Sequence, residues 1–145
     1  MFKKIQIILF FLISLNISSS ILAEAKFFEE GKLKFEEKKY DDSKFLFQRS
    51  ILFDPKDAKS YLYLAKIYNF EKNKREEEKN INTVLLLEPK NEEAIFMLME
   101  IELKKSNYSK VKKLSKNFLK VCITLCEKNQ SILETLINLE PKNES

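Results

Sequence analysis

Apolar residues fall in paired stripes along this chain, and the clearest pair lies in residues 58–89. Tyr61, Leu64, Ala65 and Tyr68 recur at i, i+3, i+4 and i+7, the spacing of one helix face. A polar interval around Asn73 separates them from a second stripe of Ile81, Val84, Leu85 and Leu87. Glu88-Pro89 then ends the run, because a proline ring disfavours helix at the residue before it. Residues 26–55 repeat the design. Phe27, Gly31 and Phe35 form one stripe, Tyr40-Asp41-Asp42 the expected turn, and Phe45, Leu46, Phe47, Ile51 and Leu52 the second stripe before Asp54-Pro55. Residues 92–121 do so again, with Asn91 as the expected cap. Ile95, Leu98, Met99 and Ile101 precede the turn Asn107-Tyr108-Ser109, and Val111, Leu114, Phe118, Leu119 and Val121 follow it. The pattern predicts three helix–turn–helix units.

A short phrase punctuates these units. Ile51-Leu52-Phe53-Asp54-Pro55-Lys56-Asp57 returns as Leu85-Leu86-Leu87-Glu88-Pro89-Lys90-Asn91, 34 residues later. It returns once more as Ile137-Asn138-Leu139-Glu140-Pro141-Lys142-Asn143, but 52 residues on. The longer interval predicts an additional helix at about 128–140, carrying Ile132, Leu133, Leu136, Ile137 and Leu139. It would cover the apolar face of the last pair, as helical arrays require for solubility. Residues 142–145 read as a tail.

Met1 to Ala25 stands apart from this pattern. Lys3 and Lys4 precede the apolar run Ile5–Ile17, and Ala23-Glu24-Ala25 gives a small-residue site, so the stretch reads as a secretory signal peptide cleaved after Ala25. The alternative is an uncleaved inner-membrane anchor facing the periplasm, which would make the protein a membrane-anchored envelope assembly factor, although the apolar run is shorter than the ~20 residues of a usual span. No cysteine lies near the site, which excludes a bacterial lipoprotein signal.

One glycine and three prolines leave few breaks in 145 residues, which argues for an all-helical chain. The formal charge of +4 is distributed as alternating lysine and glutamate, the pattern of solvated helix faces, and not as the one-sign stripe of a nucleic-acid-binding surface. The Lys/Asn/Ile-rich composition and the style of the leader point to a bacterial cell envelope.

The 34-residue period and its positions resemble the tetratricopeptide repeat family over residues 26–121. Tyr61, Leu64, Ala65, Tyr68, Ile81, Val84 and Pro89 match in the second repeat. Phe27, Gly31, Tyr40, Phe47 and Pro55 match in the first, and Ile95, Leu98, Tyr108 and Phe118 in the third. Three residues depart from the pattern. Glu77 stands where a small apolar residue is usual, which would delay or shift the second helix of the central repeat. Met99 replaces a small residue, and Ile123 replaces the terminal proline. The resemblance implies a short right-handed α-solenoid, with repeats at about 26–55, 58–89 and 92–121 plus a C-terminal capping helix. It also implies a concave groove lined by the first helix of each pair, carrying Phe28, Lys32, Phe35, Leu62, Tyr63, Lys66, Phe70, Phe96, Met97 and Glu100. Aromatics among lysines suit an extended peptide or helix with apolar anchors. The lysine and asparagine set that clamps chaperone tails in this family is not visible.

Cys122 and Cys126 are the remaining candidates for chemistry. Without histidine and with two cysteines the chain lacks the four ligands of a zinc site, and the spacing is not Cys-x-x-Cys. In an exported protein they would form a disulfide. An ideal helix places i and i+4 side chains poorly for a bridge, so pairing requires the helix to end or distort near Val121–Leu125. The same pair could instead serve a thiol–disulfide active periplasmic protein. Lack of histidine removes the common catalytic triads, and one glycine leaves no phosphate-cradling loop. The chain therefore reads as an exported, non-catalytic interaction module of the periplasm with a protein or peptide partner. It calls for no cofactor, nucleic acid or evident small-molecule substrate, and meets the membrane only if the leader is uncleaved.

Overall fold

The computed structural model describes residues 26–139. The leader at 1–25, its cleavage after Ala25, and residues 140–145 with Pro141 lie outside the described residues. Seven helices and no strands occur among the described residues. They are α1 (26–36), α2 (Tyr40–Phe53), α3 (Ala58–Phe70), α4 (Lys74–Leu87), α5 (Glu92–Lys104), α6 (Tyr108–Val121) and α7 (Cys126–Leu139). No helix among them is long and apolar enough to cross a membrane. The chain divides into two compact units, with the boundary between Ile67 and Tyr68.

The helix starts keep a strict register. Tyr40, Lys74 and Tyr108 open the second helices at intervals of 34, and Ala58, Glu92 and Cys126 open the first helices at the same interval. Glu77 therefore does not delay α4. It lies inside the first turns of that helix, 5% exposed, and its carboxylate accepts a hydrogen bond from the Asn69 side chain. The last helix starts at Cys126 and not at about 128. It is in phase with α3 and α5, as the first helix of a further repeat would be. Counting back from Pro141 gave a shifted phase because the proline position of this junction is held by Ile123.

Each turn inside a pair is closed by backbone. Lys38, Lys72 and Ser106 take left-handed φ values of 59°, 58° and 60°. In each turn the following residue's N–H reaches back five residues: Lys39 to Lys34, Asn73 to Tyr68, and Asn107 to Glu102, all at 2.9 Å. The left-handed residue itself donates to the carbonyl three residues back. This is the Schellman arrangement, usually built on glycine, here adopted three times without it. The turns therefore precede Tyr40 and Tyr108, which are already helical. Lys39 caps α2 with no side-chain hydrogen bond, and the expected aspartates, Asp41 and Asp42, lie within the first turn, where their charge complements the positive end of the helix dipole.

In the first unit Phe47, Leu64, Ala65 and Ile67 are buried. The buried face of α2 is Ser43, Phe47 and Ser50, whereas Phe45 and Leu52 of the expected apolar stripe are 57% and 77% exposed. Gly31 makes room for this core: a Cβ there would lie 2.9 Å from the Phe47 ring and 3.3 Å from the Leu46 Cβ. Ser43 donates to the Gly31 carbonyl at 2.8 Å, binding α2 to α1. Buried Asp57 accepts from the backbone N–H groups of Lys59 and Ser60, capping α3, and from the hydroxyls of Ser50 and Ser60.

In the second unit Ile95, Met99, Val111, Phe118, Ile132 and Leu136 form a core shared by α5, α6 and α7. Met99, at the register position of Gly31 and Ala65, is fully buried. Ser115, at the position of Phe47 and Ile81, is small, so the bulk moves from the second helix to the first. Buried Glu102 accepts from the Asn107 amide at 2.6 Å and from the Lys110 ammonium at 2.8 Å. Burial pushes its carboxyl up, but these two bonds and the Lys110 charge outweigh that and hold it below the usual range.

Candidate interaction surface

The residues expected along the groove divide between the two units. Phe28, Lys32, Phe35, Leu62, Tyr63 and Lys66 belong to the first, and each is half-buried. Tyr63 is the centre of their packing. Its ring lies 5.8 Å from Phe28 and 5.1 Å from Phe35, both edge-on, and stacks on Phe47 at 4.9 Å. The Lys66 ammonium sits 4.7 Å from the Tyr63 ring centre, and that of Lys59 sits 5.9 Å from the Phe28 ring centre. Edge-to-face and stacked rings stabilise one another beyond their buried area. Phe28, Phe35 and Tyr63 thus hold α1, α2 and α3 together with part of each ring, and present the remainder with a cation beside it.

Phe70, Phe96, Met97 and Glu100 belong to the second unit. Phe70 is 58% exposed at the end of α3. Phe96 is half-buried, 6.4 Å from Phe118, with the Lys128 ammonium 4.9 Å from its ring centre. Met97 is 8% exposed and serves the interior more than the surface. Burial raises the Glu100 carboxyl above its ordinary value against the pull of Lys104 and Lys128, and Glu77 adds to the rise.

Cys122 and Cys126 occupy the third junction. α6 stops at Val121, Cys122 adopts an extended conformation (φ −65°, ψ 141°), and α7 starts at Cys126. This is the break that pairing demands, and the structure brings the two sulfurs to bonding distance with Cα atoms 5.3 Å apart. In register, Ile123 stands where the first two junctions have Pro55 and Pro89, and Leu125 stands where they have the capping residues Asp57 and Asn91. Asn91 caps α5 by accepting from the Ala94 N–H at 3.0 Å, and Leu125 has no side chain able to do this for α7. The segment before α7 is held instead by Glu92 of α5. Its carboxylate receives the N–H groups of Ile123 at 2.7 Å, Thr124 at 3.1 Å and Leu125 at 3.3 Å, together with the Thr124 hydroxyl. No sequence signal marked Glu92, which read as one more acidic residue in a first turn. Among the described residues no group of three His, Cys, Asp or Glu could hold a metal ion.

Solved structures with the same arrangement are numerous. The TPR2B domain of yeast Sti1, from a complex with pHsp70, superposes with a TM-score of 0.74 at 12% identity, covering 82% of this chain and 99% of that one. The first TPR of Spaghetti (RPAP3), bound to the HSP90 peptide SRMEEVD, gives 0.68 at 17% identity, with 80% and 94% covered. The Yersinia enterocolitica type III secretion translocator chaperone SycD gives 0.65 at 13% identity, with 80% and 89% covered. No protein-family model and no curated protein matches the sequence. At these identities the likeness is one of architecture, and it agrees with the 34-residue register of helices and turns: the chain has the tetratricopeptide-repeat solenoid fold.

Proposed function

We propose that this protein is an exported, non-catalytic interaction module of a bacterial cell envelope, holding a peptide or helix of a partner protein on its first helices. The observation that carries this reading is the repetition of one surface chemistry in register. Phe28, Leu62 and Phe96 recur at one helical position and Lys32, Lys66 and Glu100 at another, all half-buried. Half-buried aromatic and aliphatic side chains beside ammonium groups suit apolar anchors with acidic neighbours. The relatives in fold described with bound peptides lend support. The leader supports a periplasmic setting, and in that setting the Cys122–Cys126 pair is a structural bridge: it brackets Ile123 and Leu125, which stand where the other junctions have a proline and a capping residue.

The test is capture of the tagged protein from cells after crosslinking, beside Lys66→Glu/Phe70→Glu. Phe35 is unsuited to the control because its ring packs against Tyr63 and Tyr40. Retention of one envelope protein by the wild type and its loss by the folded control supports the reading, and equal capture refutes it. An intact mass of the isolated protein adds two independent checks, loss of residues 1–25 and the two hydrogens removed by a bridge.

A further inference from the structure

An opening of about 220 Å³ in the second unit is lined by Asn69, Lys72, Lys74, Glu77, Ile101, Lys104 and Lys105. Its chemistry is uneven in an informative way. Ile101 and Glu77, each 5% exposed, are its most buried lining residues, and the Asn69 amide donates to the Glu77 carboxylate at 2.5 Å. Four lysines line the same opening. One of them, Lys105, is engaged by Glu78 at 2.6 Å. Lys72, Lys74 and Lys104 form no salt bridge among the described residues, and Lys104 acts at longer range on Glu100. Lys72 is moreover fixed in backbone, because it is the left-handed residue of its turn, tied through its own N–H to Asn69 and through that of Asn73 to Tyr68.

We infer that this lysine-rimmed opening binds a small phosphate ester, its phosphate among Lys72, Lys74 and Lys104 and its organic part against Ile101 and the Asn69 amide. Lys72, Lys74 and Lys104 outnumber the carboxylates of Glu77 and Glu100 and leave an excess positive charge that an anion neutralises and a neutral ligand does not. Lysine suits phosphate as a set of point charges, whereas a planar carboxylate is best matched by the arginine fork, and neither arginine of the chain lines the opening. The volume lies below the ~300 Å³ at which sites for drug-sized ligands begin, so a short ester fits and a dinucleotide does not. None of the residues lining this opening is among those proposed to contact a partner.

The experiment is a titration of the isotope-labelled protein, as isolated from cells, with glycerol 3-phosphate at constant ionic strength. Amide shifts at Asn69, Lys72, Lys74 and Lys104 are expected to saturate with a dissociation constant of about 1 mM or tighter. Lys72→Gln/Lys74→Gln/Lys104→Gln is expected to weaken binding about tenfold or more. Lys113→Gln/Lys116→Gln/Lys120→Gln, which removes the same charge from the exposed side of α6, is expected to leave binding within about twofold. All six lysines are on the surface, so both variants fold, and unchanged helical circular dichroism verifies it. Absence of saturation, or equal weakening by the two variants, overturns the site. A parallel arm adds vesicles of phosphatidylglycerol or of phosphatidylcholine. Competition by the former alone places the phosphate on a lipid headgroup, and competition by neither places it on a soluble ester.

Discussion

Glu92 and Thr124, 32 residues apart, are joined at both ends of the threonine: the carboxylate of the one accepts the hydroxyl and the backbone N–H of the other. With the N–H groups of Ile123 and Leu125 also directed at it, this carboxylate gathers the backbone of the segment that leads into α7, whereas Asp57 and Asn91 accept from N–H groups inside the first turns of α3 and α5. The anchor of that loop is supplied from the preceding repeat.

That arrangement gives the junction a pH dependence of defined sign. The Thr124 hydroxyl, then the Ile123 N–H and the other backbone donors, lower the Glu92 carboxyl to about 2. A carboxyl depressed on folding stabilises fully above its unfolded value, and the contribution is lost as pH falls through the folded one. Amide exchange at Thr124 and Leu125 is therefore expected to change little from pH 7 to about 5 and to accelerate, beyond its intrinsic pH dependence, as the pH approaches about 2. In Glu92→Gln this additional acceleration is absent, and the loop exchanges faster at neutral pH.

Removing both thiols, as Cys122→Ser/Cys126→Ser, is expected to destabilise the second unit by about 2 kcal/mol, the entropy of so short a closed loop. Urea denaturation of oxidised wild type and variant measures it.

Asn129 is 3% exposed and its Oδ1 finds no partner, whereas the same register position holds Tyr61 and Ile95 in the earlier repeats. Asn129→Ile removes a buried acceptor without a donor, which costs about 1–3 kcal/mol while present. The variant is expected to melt several degrees higher, at roughly 4–8 °C per kcal/mol for a unit of this size. Differential scanning calorimetry reads the sign directly.

Gly31→Ala sets two effects against each other. Alanine is the better helix former by about 1 kcal/mol. Its Cβ would meet the Phe47 ring at 2.9 Å, and that ring, fully buried and in contact with Phe28 and Tyr63, has little freedom to yield. Overpacking of this kind costs about 1–3 kcal/mol, so net destabilisation is expected in thermal melts.

Ala65→Arg is the severe case. Ala65 is fully buried, and a long cation has neither room nor partner there. Loss of the cooperative transition of the first unit is expected, by the cost of burying an unpaired charge. An unchanged melting temperature would contradict the register of the second repeat.

The helical pairs were legible because each leaves an apolar stripe of the right period, and the two prolines 34 residues apart fixed their spacing. What escaped was whatever the backbone or a distant side chain supplies. Lys38, Lys72 and Ser106 carry no mark of a left-handed conformation, since two hydrogen bonds per turn impose it where glycine would have advertised it. The phase of α7 was hidden because its junction has lost both the proline and the capping residue that announced the others. Glu92 was invisible for a related reason: its partners lie more than thirty residues away and are backbone amides, which every sequence has. Of the groove residues, the aromatics were found, but their mutual packing around Tyr63 depends on three helices converging, and the burial of Met97 on a neighbour that no local pattern names.

The third junction differs from the other two in what fastens it. The fastenings at Asp57 and Asn91 are side chains of the local turn. The one before α7 relies on a thiol pair and on a carboxylate borrowed from α5, and each responds to solution chemistry. Reductant and acid therefore act on the same short segment. A reducing or strongly acidic medium is expected to loosen α7, which shares a core with Ile95 and Met99, before the α5–α6 pair.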